Sequence, residues 1–154
     1  MKFVDGKLVR GPRLKGVSDV YHLHSHFWVR TIINLEEGWS RKFGNYQEGP
    51  DCIAFGIKYH GIGLSNFSPP SVEECRAIMK VIYGTEKPVY VHCYAGVDRT
   101  GFIVALYGAL RYGRCPHECW EEAQEAGMHK RYFWWRKSFL AVCAALKGEF
   151  GYAD

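Results

Sequence analysis

The sequence predicts an α/β fold: a single domain with a small sheet and helices packed on it. Three observations carry that expectation. Runs rich in apolar and β-branched residues lie mainly in the first half of the chain. Runs with helical periodicity fill the second half. One short, mostly apolar run, Pro88–His92 (PVYVH), stands between two helical runs, as a buried central strand does. A length of 154 residues fits one domain and leaves little room for a second.

Residues 1–16 contain Gly6, Gly11, Pro12 and Gly16 and read as an extended N-terminal arm, with the domain proper over 17–150. Val17–Leu23 and Trp28–Leu35 read as strands, the second on Val29, Thr31, Ile32 and Ile33. Residues 36–51 are polar and Gly-rich and read as a loop, and Ile53–Tyr59 reads as a further strand. Ser71 with Glu74 three residues on is a capping box. Val72, Cys75, Met79 and Ile82 follow at helical spacing, and Gly84 ends that helix. Thr100–Tyr112 is apolar enough for a buried helix ending at Gly113. Pro116 opens the next helix, which closes at Gly127. Tyr132, Trp135, Phe139, Val142, Cys143 and Leu146 form one face of a last helix.

Composition narrows the function classes. Hydrophobic residues make up 47% of the chain, with 5 Trp, 10 Tyr and 9 Phe, so a packed core is expected rather than a disordered tail. No apolar stretch is long enough to span a bilayer, and the N-terminal stretch lacks the apolar segment of a secretory signal. The net charge of +4, most of it in the first fifty residues, is too mild to suggest nucleic acid as a partner. It suits a small anionic ligand. Six cysteines in a chain of this size read as reduced thiols in a cytoplasmic protein rather than a disulfide framework.

The chemistry concentrates in VHCYAGVDRTGF, residues 91–102. A strand ends at His92, Cys93 follows, and Arg99 lies six residues on, just before a helix. None of the other five cysteines has an arginine at that distance. A short loop feeding a helix N-terminus turns backbone N–H groups toward one point and makes an anion nest. The nest here comprises Tyr94, Ala95, Gly96, Val97, Asp98 and Arg99, with Gly96 supplying dihedrals closed to other residues. Arg99 offers a planar fork for two phosphate oxygens. Cys93, facing the N–H groups and the helix dipole, should be a thiolate near neutral pH and a nucleophile aimed at a bound phosphorus. Thr100 is placed to hydrogen-bond the sulfur, and His92 to hold the loop from behind.

HCYAGVDRTG resembles the signature loop of the cysteine-dependent protein tyrosine phosphatases, in particular the small dual-specificity branch. LSNFSPP, residues 64–70, resembles that family's general-acid loop, and the likeness runs over roughly 17–147. The resemblance implies a mostly parallel central sheet with the loop at a strand's C-terminal end. It implies hydrolysis of phosphotyrosine, with phosphoserine and phosphothreonine tolerated, through a phosphocysteine on Cys93 and without a cofactor or metal. The implied partners are phosphorylated proteins or small phosphorylated molecules, with phosphate, vanadate or sulfate-like anions in the loop. A monomer without membrane association is expected.

One departure matters. Asn66 stands where the family usually has Asp, and no Asp occurs from 52 to 97. Asn cannot protonate a leaving alkoxide, and general acid catalysis is worth roughly 10²–10⁴-fold. Several readings stay open. Asp98 takes the role, as in phosphoinositide phosphatases whose loops resemble this one, or it serves structure by capping backbone N–H groups. Alternatively Glu73 or Glu74 reaches the site, or the enzyme acts on good leaving groups without a strong acid. A last reading is a binding-only module in which Asn66 makes a natural trap.

Other features have plainer explanations. His22, His24 and His26 alternate and would share a strand face, but no further ligand completes a metal set. Cys115 and Cys119 lie one helical turn apart without a second ligand pair. KRYFWWRK, residues 130–137, reads as the start of an amphipathic helix, with an acidic-surface contact as the alternative. Arg41 and Lys42 are candidates for the substrate mouth.

Overall fold

The protein is described by a computed structural model over residues 1–36, 46–65, 67–128 and 134–151. It forms two compact units, one from residues 1–64 and 85–96, the other from 65–84 and 97–154. The predicted α/β class is the one observed.

The first unit holds a five-stranded sheet: β1 (Lys2–Phe3), β2 (Leu8–Gly11), β3 (Thr31–Asn34), β4 (Lys58–Gly61) and β5 (Val89–His92). Their spatial order is β1-β2-β5-β3-β4. Only β1 runs antiparallel to its neighbour. A parallel strand with neighbours on both sides needs an apolar run, which is why Val89-Tyr90-Val91 takes the centre, with all four β5 residues buried. Two helices, α1 (Val17–His26) and α2 (Gly49–Ala54), belong to this unit. Val20 and Leu23 of α1 and Cys52 of α2 share a core with Val9, Ile32, Ile57 and Tyr90.

Several boundaries differ from the sequence expectation. Residues 1–16 are no free arm, because they supply β1 and β2, and Leu8 and Val9 are fully buried. Val17–Leu23 is helix, not strand. Val20 and Leu23, three residues apart, are buried on one helix stripe, whereas on a strand they would fall on opposite faces. The histidines therefore share no strand face. His22 and His26 stack across one helical turn at 4.4 Å between ring centroids, while His24 lies against Phe55. The strand within 28–35 is confined to Thr31–Asn34. Part of the expected 36–51 loop is α2, with Pro50 in its first turn. The strand expected over 53–59 begins only at Lys58. Arg41 and Lys42 lie outside the described residues.

The second unit is helical: α3 (Val72–Gly84), α4 (Asp98–Tyr112), α5 (Pro116–Glu125) and α6 (Trp135–Leu146). The Ser71–Glu74 capping box is present, with Ser71 Oγ accepting from the Glu74 N–H at 3.1 Å and the Glu74 carboxylate accepting from the Ser71 N–H at 3.0 Å. Gly113 ends α4 in the left-handed conformation, φ +61°. Phe102 of α4 meets Trp120 of α5 and Trp135 and Phe139 of α6 edge-on, at 5.3–6.2 Å between centroids. Trp135, Phe139, Val142, Cys143 and Leu146 are buried on one face of α6, as their spacing predicts. Tyr132 and residues 130–133 of the basic-aromatic run lie outside the described residues.

Candidate active site

In the first unit, three parallel strands end level with one another. His92 of β5 is in register with Gly11 of β2 and Asn34 of β3. Cys93 follows at this carboxyl edge of the sheet and is 2% exposed. Ligand sites in parallel sheets collect at such edges.

The carbonyls around Cys93 are held one by one. His92 O accepts from the Leu35 N–H at 2.8 Å, and Tyr94 O from the Arg13 N–H at 3.1 Å. Cys93 O receives His92 Nδ1 at 3.0 Å. Gly96 O accepts from Arg10 Nη2 at 2.9 Å. In a planar trans peptide the N–H points away from the carbonyl of the preceding residue. Anchoring the carbonyls of Cys93, Tyr94 and Gly96 therefore turns each following N–H away from its carbonyl's partner. Gly96 has φ +76°, and a Cβ there would lie 2.3 Å from Gly11 O. Both the dihedral and the close approach require glycine.

Charge gathers at the same edge. Burial pushes the Arg10 guanidinium below its usual value, and the nearness of Cys93 opposes that shift. Arg13 forms an ion pair with the buried Glu36 and lies 4.2 Å over the ring of Tyr94, itself 59% exposed. His92 is fully buried, with Nε2 2.7 Å from Glu48 Oε1. Arg10, Arg13 and Glu48 were not predicted from the sequence. The first two fall in the stretch read as an arm and Glu48 in the stretch read as a loop, and no local pattern marks them.

The second unit resumes at Val97, and α4 starts at Asp98, two residues earlier than expected. Val97 Cγ1 packs on Gly127, where an added Cβ would come within 3.3 Å. Arg99 is 6% exposed and Thr100 fully buried. Thr100, expected to bond the sulfur, keeps Oγ1 without a hydrogen-bond partner among the described residues. Asp98 is half-buried in the first helical turn, a position that favours a carboxylate. Glu74 is engaged in its capping box and Glu73 pairs with Arg76, so both serve the start of α3. Asn66 lies outside the described residues. Among those residues no cluster of His, Cys, Asp or Glu suits a metal ion.

The cysteines separate by environment. Burial pushes the thiols of Cys52, Cys75 and Cys143 up to about 12, and that of Cys119 up as well. These four stay protonated at neutral pH.

Residues 9–113 match a family model described as Tc-R-P, a polymorphic toxin system DSP-PTPase phosphatase. The chain belongs to this DSP-PTPase phosphatase family. No curated protein matches it. Solved structures show that the phosphatase shares its fold with several others. PTPMT1 superposes with a TM-score of 0.75 at 18% identity, over 94% of this chain and 96% of its own. TpbA of P. aeruginosa gives 0.74 at 16% identity, over 95% and 87%. The core catalytic domain of the PP-IP phosphatase SIW14 from S. cerevisiae gives 0.76 at 16% identity, over 92% and 83%. The phosphatase is thus a hydrolase of the cysteine-dependent protein tyrosine phosphatase superfamily, with the mostly parallel sheet the signature loop implied. No helix among the described residues is long and apolar enough to cross a membrane.

Proposed function

We propose that this phosphatase hydrolyses phosphomonoesters through a covalent intermediate on Cys93. The thiolate attacks phosphorus, an S–P bond forms as the P–O ester bond breaks, and the leaving oxygen takes up a proton. Water then attacks the phosphocysteine, releasing inorganic phosphate and the free thiolate. The N–H groups of residues 94–99 and the Arg99 fork receive the negative oxygens. The observation that supports this reading is the anchoring of the carbonyls of Cys93, Tyr94 and Gly96 beside a buried cysteine, which turns each following N–H away from its carbonyl's partner. Asp98 is the carboxylate we assign to protonate the leaving group, since Glu73 and Glu74 are engaged on α3.

The substrate class we assign is phosphotyrosine in proteins, with phosphoserine and phosphothreonine accepted. An exposed Tyr94 backed by the Arg13 guanidinium offers an aromatic surface at the loop. TpbA has been solved with pTyr bound. A second reading, a phosphoinositide or soluble inositol phosphate, draws on PTPMT1 solved with PI(5)P and on SIW14, a PP-IP phosphatase solved with citrate. The deciding experiment begins with an aryl phosphate assayed in chelator. Wild type should turn over, and Cys93→Ser should lose all turnover while still binding vanadate. Turnover by Cys93→Ser overturns the mechanism, and a wild type that binds vanadate without turnover makes the protein a binding module. A matched panel of phosphopeptides and phosphoinositides then separates the two substrate classes.

A further inference from the structure

The second unit contains a hollow of about 600 Å³ for which the phosphatase reading has no use. It lies where the end of α4, the turn into α5 and the end of α6 come together. α4 has 15 residues, so the hollow and Arg99 belong to opposite ends of it, roughly 20 Å apart. Small residues open the space: Ala109 and Gly113 from α4 and its cap, Ala144 from α6 and Gly151 beyond it. Leu110, Leu140 and Cys143 give it an apolar wall, of which Leu110 and Cys143 are buried. Its volume is that of a small-molecule site.

The charges in its lining are of one sign. Arg114 and Lys147 contribute to it, and no described Asp or Glu joins them. Arg114 is already balanced, because Glu122 accepts from both of its terminal nitrogens, from Nη1 at 2.9 Å. Glu149, two residues from Lys147, is taken by Arg76 at 3.0 Å. Lys147 is exposed and pairs with no acid among the described residues. The hollow therefore offers one uncommitted ammonium beside an apolar wall. A phosphate dianion calls for several donors, as a guanidinium fork supplies. A carboxylate at the end of an apolar body calls for one cation and a surface to cover.

We infer that the second unit carries a binding site for an apolar monocarboxylate of the fatty-acid class, with no residue in common with the signature loop. The alkyl body lies along Leu110, Leu140 and Cys143, and the carboxylate meets Lys147. Burial of the chain removes apolar surface from water, and the ammonium supplies a charge-assisted hydrogen bond at the mouth.

The test titrates the full chain with octanoate by calorimetry, in saturating inorganic phosphate so that the anion nest does not compete for carboxylate. Octanoate should bind one to one. Octylamine, with the same chain and the opposite charge, should bind about tenfold or more weakly, and acetate should not bind. Lys147→Gln should weaken octanoate about tenfold or more and leave 1-octanol unchanged. Ala144→Phe fills the hollow from an exposed position and should abolish binding of both. Lys147→Gln replaces one exposed side chain, so it keeps the test decisive should Ala144→Phe not fold. The exposed thiol of Cys115, part of the lining, reports the place of binding. Octanoate should slow its alkylation by iodoacetamide severalfold, read by mass spectrometry. Failure of octanoate to bind, binding that neither variant changes, or octylamine binding as tightly overturns the inference. Unslowed alkylation of Cys115 does the same, since it puts the ligand elsewhere. So does a dimer in light scattering that Ala144→Phe dissociates, because a second copy would then fill the hollow. None of these readouts needs turnover, so their outcome is independent of the proposed hydrolysis.

Discussion

Gly96 is the position where a single atom decides the site. Its φ of +76° lies in the left-handed region, and an added Cβ would meet Gly11 O at 2.3 Å and Pro12 N at 2.7 Å. Backbone cannot move aside as a flexible side chain can. Gly96→Ala should destabilise the fold by more than about 1 kcal/mol and displace the carbonyl that Arg10 holds. A lower Tm with at least tenfold weaker vanadate binding is the expected result. Wild-type binding would mean the nest tolerates another path. Asp98 makes a different demand. An acid assists a poor leaving group far more than a good one, so Asp98→Asn should slow alkyl phosphates by roughly 10²-fold or more and aryl phosphates much less. Equal small losses on both substrates would leave Asp98 a structural carboxylate at the start of α4.

At the scale of elements, helix ends and strand neighbours explain most of what was found. The capping box of α3 satisfies two N–H groups that an uncapped helix leaves open. Ser71→Ala should lower stability by about 1 kcal/mol, read as a shift in a urea unfolding midpoint, with turnover on aryl phosphate unchanged. A loss of activity without a loss of stability would give this cap a second role. The elements are also where the structure departs from the sequence expectation. In the α1 stretch Val17, Val20, Tyr21 and Leu23 suit a strand as well as a helix, and only the three-residue spacing of the buried Val20 and Leu23 favours the helix observed. In the stretch 1–16 glycines and a proline hide how Leu8 and Val9 pack. Their burial depends on β5, some eighty residues later. Helices α3, α4, α5 and α6 were legible because each is longer than a strand and marked at its start or end by a cap, a proline or a glycine.

Across the whole molecule, buried thiols and phenols link folding to pH. The folded chain raises Cys52, Cys75 and Cys143 from 9.0 to about 12, and burial raises Tyr46 and Tyr90 as well. A raised value means that the folded state holds its proton more tightly than the unfolded state. The stability this carries is complete below about pH 9 and is lost as pH rises from 9 toward 12. Urea unfolding at pH 7, 9 and 10.5 should show little change over the first interval and a clear fall over the second. A flat profile would mean the thiols reach water more freely than their burial implies.

By itself the sequence determined the α/β class, the helical second half and the loop to which we assign the chemistry. Cys93, Gly96, Val97 and Arg99 lie within seven residues of one another, and local spacing is what a sequence displays directly. Tertiary structure alone decided what holds that loop. Arg10, Arg13 and Glu48 come from 44 to 86 residues away in the chain; Arg10 and Arg13 reach Gly96 and Tyr94 because β2 and β5 end level in one parallel sheet, and Glu48 reaches His92 from the start of α2. A hydrogen bond between distant residues leaves no periodicity and no spacing to read, because what creates it is the register of strands that meet only after folding.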